Sequence, residues 1–449
     1  MADTTLPSDV SLPSLGRYDV VVVGSGSAGS PAAIAAARTG ARVLLVEKLP
    51  FLGGVSTAVL DTFYGFYTPG SQPHKVVAGI GDEVVAGLRT IGKVVERPNT
   101  YGAGTGITYL AEHLKVVWES LATAAGVEVL LHAFVQAAPT SDGRITGLVV
   151  ATKAGLHRVE ASVYIDASGD ADVCHYAGFD YETAGELAPA QTLTTTFRMV
   201  NVDHSRRREI GKEDLHALMR EAAESGEYDL PRREGSDHIT PVDGMIATVM
   251  TRIDQVRPGD DGAVRNATDP AVLTAAEMEG RRQALEYARF LTDRVPGYED
   301  ARLAALSSQI GLRETRRVYG DYRLTRDDVL SARQFDDQIG LCGAPIEDHQ
   351  AGTGTTWEYL PDGMAVGIPL RSLIVADGLN VLMAGRCFSA EHDAQASVRS
   401  MAQCMAMGQA AGTAAALAVD NGGTVRSVAV AAVLDRLRKD QVVLSMDGA

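Results

Sequence analysis

The apolar run at residues 18–23, broken only by Asp19, leads straight into Gly24, Gly26 and Gly29 in G-x-G-x-x-G spacing, with Ser25, Ser27 and Ala28 between them. A run of that length suits a buried parallel strand. A small-residue helix at 31–38 follows, then Gly40, then a second strand at 42–46 that ends at Glu47. The glycines let the backbone turn tightly and approach a pyrophosphate, whose charge rests on the helix N-terminus. Glu47 falls 21 residues after Gly26, where a carboxylate accepts both hydroxyls of a ribose. Alone, the glycine spacing is weak evidence. Enclosed by strand, helix, strand and acid, it predicts a Rossmann-like α/β domain that binds a dinucleotide.

The next residues choose between dinucleotides. Lys48 opens a short loop to Gly53-Gly54 and Val55-Ser56-Thr57, where a plain nicotinamide domain runs on into a helix. The pair reads either as an ordinary turn or as a loop passing beneath a flavin. Further elements favour FAD: a helix at 109–125, a strand at 127–131, and a hairpin of 144–152 with 156–161 turning at Gly155. A strand at 163–166 then ends in Ala167-Ser168-Gly169-Asp170, a small turn at the ligand-binding edge of an open sheet. Near the other end a strand at 379–384 meets Gly385-Arg386, and a long small-residue helix starts at about Ser397. Its first turn, with Ala394, Ser397 and Val398, is expected against the flavin, and Arg399 would stabilise the negative charge of the reduced ring.

The chain is similar to the FAD-dependent oxidoreductase family related to fumarate reductase flavoproteins and to the flavin domain of heterodisulfide reductase. Residues 21–54, 311–317 with Gly320, Tyr322 and Leu324-Thr325, and 385–412 carry the likeness. It implies a glutathione-reductase-type FAD domain assembled from 16–58, 104–186 and 375–449. An inserted α+β substrate or cap region of 59–103 and 187–374 completes it. No substrate carries over. The chain lacks clustered cysteines, so no iron–sulfur relay is expected, and 48–53 holds no histidine, so the FAD is expected to be non-covalent.

A bound flavin performs the redox step, and the protein supplies position, charge and a proton acceptor. The first expectation is an oxidase or dehydrogenase that takes a hydride from a CH–OH, CH–NH or CH–CH group. The alternatives are a reductase of an activated C=C bond and a flavin-binding partner protein without turnover. Oxidation needs a base, and histidine suits that role near neutral pH. His392, flanked by Glu391 and Asp393 as orienting groups, is the first candidate, and His349 is the second. Either is equally read as an ordinary hydrogen-bonded residue. Arg313, Arg316, Arg317 and Arg371 read as a carboxylate clamp or as ion pairs to Glu314, Asp327 or Asp328, the latter fitting Arg316 and Arg317 better. Tyr64, Phe66 and Tyr67 wall the substrate pocket or belong to the core.

A net charge of −16 argues against nucleic acid as a partner. Cys174, Cys342, Cys387 and Cys404 form no CxxC pair, so no metal site is read, and they fit a reducing, cytoplasmic compartment. No signal peptide is visible. The 19 uncharged residues 401–419 contain Gly408 and Gly412 and read as a buried helix rather than a membrane span. With no second glycine fingerprint, electrons would pass to oxygen, a quinone or a carrier protein. A homo-oligomer is compatible with the sequence.

Overall fold

Valine and leucine runs set the centre of the molecule. A computed structural model describes residues 12–99, 101–259, 264–350, 352 and 354–446. Across its main sheet, Glu128–Leu130, Val43–Val46, Ser14–Val23 and Gly155–Asp166 lie side by side and parallel, and Val381–Met383 pairs with the end of the last strand. Val20 and Val22 face one core while Val21 and Val23 face another. Both faces are covered, which is why these strands read as unbroken apolar runs. The expected Rossmann-like α/β sheet is present.

The hairpin is not a separate unit. Leu148–Thr152 turns into Gly155–Asp166, one strand of 12 residues that joins the segments read at 156–161 and 163–166. Its first half pairs antiparallel with Leu148–Thr152, and its last three residues pair parallel with Val381–Met383.

The helices Gly29–Arg38 and Met401–Val419 pack on this sheet backbone to backbone. A Cβ at Gly408 would come within 1.9 Å of the Ala28 carbonyl oxygen, and one at Gly412 within 2.0 Å of that of Ala32. Met401–Val419 is buried along nearly its whole length. Among the described residues, no helix is long and apolar enough to cross a membrane. The helix expected from Ser397 is in fact two, His392–Val398 and Met401–Val419, broken at Arg399 and Ser400.

Between these pieces stands an antiparallel sheet of Ser236–Ile239, Ile246–Val249, Phe197–Val200 and Arg302–Leu306, in that order. Helices Lys212–Ser225 and Pro270–Arg294 cover it through a core of their own. The second helix is the longest among the described residues, at 25 residues. Asp269 caps it by accepting from the Ala271 and Val272 N–H groups, and Pro270 fills the first helical position. Just before this helix the strands Arg257–Pro258 and Val264–Arg265 pair antiparallel; Asp260, Asp261 and Gly262 lie outside the described residues.

Candidate active site

A cavity of about 300 Å³ opens at the carboxyl ends of the parallel strands. Gly24, Gly26, Ser27 and Ala28 form part of its wall. A Cβ built on Gly26 would meet only the Gly54 Cα, at 4.0 Å, whereas one on Gly24 or Gly29 would strike backbone at 2.4 or 1.7 Å. Gly26 therefore leaves space for a ligand to approach, while Gly24 and Gly29 let the turn pack. Gly29 is buried rather than cavity-lining.

Glu47 is buried in the same wall. Its Oε2 accepts from the Ser25 N–H at 2.8 Å and the Ser25 hydroxyl at 2.6 Å, and Oε1 accepts from the Leu49 N–H at 2.8 Å. Of about four acceptor positions on a carboxylate, one remains, fewer than the two ribose hydroxyls expected of it. Lys48 lies 3.8 Å from Asp170. Arg386 pairs with Asp170 and donates to the carbonyls of Gly169 at 2.7 Å and Leu312 at 2.6 Å, tying three chain segments around the cavity.

Gly54, Val55, Ala167, Ser168, Gly169, Gly385 and Arg386 also line the cavity. Gly53 and Ser56 do not. They fix the loop instead, through Gly53 N–H to the Ser25 carbonyl at 2.9 Å and the Ser56 hydroxyl to the Gly53 carbonyl at 2.7 Å. Ala394, Ser397 and Val398 are a correction: all three are buried away from the cavity, and the Ser397 hydroxyl donates to the Ala344 carbonyl at 2.6 Å. The helix break turns Arg399, Ser400, Met401 and Cys404 to the wall in their place.

The histidines also need correction. His392 opens the helix His392–Val398, and its partners are not its sequence neighbours. Nδ1 lies 3.0 Å from Glu314 and Nε2 3.2 Å from Asp348, and the ring is absent from the cavity wall. Asp348, His392 and Asp393 bring possible ligand atoms within 4.8 Å of one another, but Asp393 is already paired with Arg326 at 3.3 Å. His349 is buried, its Nε2 2.9 Å from Glu347 and its Nδ1 3.1 Å from the Thr355 hydroxyl. Burial, and then the Arg313 cation, push its imidazole down to about 3, so it is neutral at neutral pH.

Among the arginines, Arg317 pairs with Glu314 and Glu182, Arg316 with Asp172 at 3.3 Å, and Arg371 with Asp337 at 3.0 Å. These are structural pairs. Arg313 and Arg399 line the cavity together with Tyr64, Thr194, Thr196 and Glu347, while Phe66 belongs to the core. The Tyr64 hydroxyl oxygen accepts from Arg97 Nη2 at 2.9 Å, and its own O–H has no acceptor among the described residues. Glu347, Thr194 and Thr196 were missed in the sequence. Glu347 stands in the same Glu-Asp-His triplet as His349, and the triplet was read for its histidine alone. Burial would raise the Glu347 carboxyl, but the His349 hydrogen bond and the Arg399 and Arg313 charges hold it below the ordinary range.

A parallel sheet, a glycine turn open at one position, a buried acid after the second strand and an adjoining arginine-lined wall define a dinucleotide-dependent oxidoreductase. The chain belongs to the FAD dependent oxidoreductase family, whose model matches residues 19–437. It is an enzyme, and its cofactor is FAD. It is 31% identical over 198 residues to digeranylgeranylglycerophospholipid reductase 2 of Methanopyrus kandleri, 42% of this chain and 46% of that protein. A stretch of 37 residues is 68% identical to the NADH:fumarate oxidoreductase of Klebsiella pneumoniae, 8% of this chain and 4% of that one. The fumarate likeness is thus confined to a short segment, and the chain spans about half the length of the archaeal reductases it matches. A geranylgeranyl bacteriochlorophyll reductase-like protein of Thermoplasma acidophilum superposes with a TM-score of 0.46 at 15% identity, over 95% of this chain and 82% of that one.

Proposed function

We propose that this enzyme is a reductase of an activated C=C bond in a small organic substrate, held where Tyr64, Arg313, Glu347 and Arg399 meet in the cavity wall. FAD, when bound, supplies the hydride exchange. Gly24, Gly26, Ser27, Ala28, Glu47, Lys48, Gly54 and Val55 would hold it, with the turns at 167–169 and 385–386. In this reading residues 16–58, 104–186 and 375–449 make the flavin domain, and 59–103 and 187–374 bring the substrate wall to it.

One observation carries the reading. Tyr64 lines the cavity with an O–H that has no acceptor among the described residues, whereas Asp172, whose carboxyl burial raises to about 6, is paired with Arg316 at 3.3 Å, and His392 and His349 are turned to carboxylates. Tyr64 gives its proton to the substrate, and the Arg97 guanidinium on the same oxygen stabilises the phenolate left behind. Glu347, held below the ordinary carboxylate range, makes a feeble base, which weighs against the alcohol or amine oxidation read first from the sequence. The relatives, named as reductases, support the same direction.

The test is anaerobic. FAD-loaded protein reduced with dithionite should be reoxidised by activated alkenes. If alkenes leave the reduced protein unchanged while alcohols or amines bleach the oxidised form, the direction is reversed.

A further inference from the structure

Four guanidiniums gather beside this wall, and none has a carboxylate within 4.0 Å among the described residues. Arg313 Nη1 donates to the Thr192 carbonyl and the Thr194 hydroxyl, each at 2.7 Å. Arg252 reaches the Thr192 hydroxyl at 3.3 Å and the Gly352 carbonyl at 3.0 Å. Arg399 reaches the Gln191 side-chain oxygen at 2.8 Å and the Glu347 carbonyl at 3.4 Å. Arg232 holds the carbonyls of Glu234 and Val249 at 3.1 and 3.2 Å. Three of the four thus converge on residues 191–194, and every acceptor is neutral.

Donors are left over. Arg399 Nε, Arg252 Nη2 and Gln191 Nε2 are buried without a hydrogen-bond partner among the described residues, and Gln191 and Arg252 are themselves 0% and 5% exposed. Buried cations without counter-ions are costly. Glu234, Asp254 and Asp348 act on the cluster from beyond 4.0 Å, but beside Arg313 and Arg399 the cavity wall itself presents Glu347, so these two guanidiniums face the cavity without a paired anion.

We propose that the substrate is an apolar monocarboxylic acid, its carboxylate clamped by Arg313 and Arg399 and its body lying against Val55, Val59, Leu60 and Met401. The proposal rests on the substrate position given above, but on neither direction of hydride transfer. Planar guanidinium forks match a carboxylate. A tetrahedral phosphate is commonly cradled by backbone N–H groups, and here those of Thr192, Thr194 and Gly311 are already bonded to the carbonyls of His349, Gly311 and Thr194. A second carboxylate would meet Glu347 and an apolar surface, which sets dicarboxylates aside.

The experiment is an anaerobic titration of the FAD-loaded protein with trans-cinnamate, hydrocinnamate and hexanoate, followed by the flavin absorption spectrum. Cinnamamide, succinate and inorganic phosphate are run beside them. The three monocarboxylates should perturb the spectrum saturably, with the amide weaker by about tenfold or more. Arg313→Gln should weaken cinnamate by a similar factor, and Arg252→Gln by less. Should the Arg313 variant fail to fold, the acid and amide comparison on the native protein decides alone. Equal affinity for cinnamate and cinnamamide overturns the proposal, as does tighter binding of succinate or phosphate, or silence from all three monocarboxylates. Protein that takes up no FAD is colourless before any acid is added, so that outcome brings down the cofactor-site reading and is told apart from the others.

Discussion

Replacing Tyr64 by Phe removes one hydroxyl and leaves the ring in the wall. FAD uptake should be unchanged, while reoxidation of the reduced protein by an alkene slows by about 10²- to 10³-fold. Stopped-flow absorbance measures both, and an unchanged rate removes Tyr64 from the chemistry. His349 gives a prediction of another kind. Its imidazole sits at about 3 in the folded chain against 6.5 ordinarily. Between those values the unfolded chain takes up a proton that the folded chain refuses. Stability is therefore whole above about pH 6.5 and is lost as pH falls towards about 3, by on the order of 5 kcal/mol. Urea midpoints for the native protein and His349→Gln should diverge down this window, the variant losing less; parallel curves would refute the assignment. At this scale the glycines were legible because spacing and secondary structure agreed. His392 was misread because its partners, Glu314 and Asp348, are 78 and 44 residues away, while adjacent residues on a helix do not face each other.

Helix packing separates two glycines that look alike in the sequence. At Gly412 a Cβ would press on backbone, the Ala32 carbonyl at 2.0 Å, which cannot move aside without parting the two helices. Gly412→Ala should cost about 3 kcal/mol, and FAD affinity should fall with it, since Gly29–Arg38 is the helix that follows the glycine turn. At Gly26 the added methyl enters cavity space. Gly26→Ala should leave the apo protein within about 0.5 kcal/mol of native and yet load no FAD. Urea denaturation of both apo variants, with flavin absorbance after reconstitution, separates the cases; equal destabilisation would sink the distinction. The uncharged run 401–419 was legible as a buried helix, which the structure has as Met401–Val419, although its start was read at about Ser397. The break before it was not. Ser400 is an N-cap type of residue, but its side chain makes no capping hydrogen bond, and the turn is set instead by the segments packed around Arg399.

For the molecule as a whole, the cavity is where distant parts of the chain depend on one another. Its wall takes residues from 23–28, 46–60, 133–135, 167–172, 194–196, 309–313, 384–386 and 399–404, so no single lobe contains it. The Rossmann-like sheet and its two cores were readable because parallel strands buried on both faces leave apolar runs. Of the inserted region only its α+β character was legible, because its strands are short and its apolar residues are completed by helices far along the chain. That core draws on residues within 197–306, separate from the cores flanking the main sheet. The inserted core meets the main body through the ligand wall and through polar contacts such as His238 with Asp61 at 2.8 Å and the Thr196 hydroxyl on the Val59 carbonyl, so the two parts need not unfold together once the ligand is removed. A ligand that binds only the folded state stabilises it by mass action, about 4 kcal/mol at a thousand times its Kd, and here it does so by holding both sides at once. Calorimetry of the apo protein should therefore show two overlapping transitions. Added FAD should merge them into one whose midpoint climbs with free FAD concentration. A single transition in the apo protein, shifted by FAD but unchanged in shape, would mean that protein contacts such as the Arg386 bridge from Asp170 to Leu312 already couple the two sides without the cofactor.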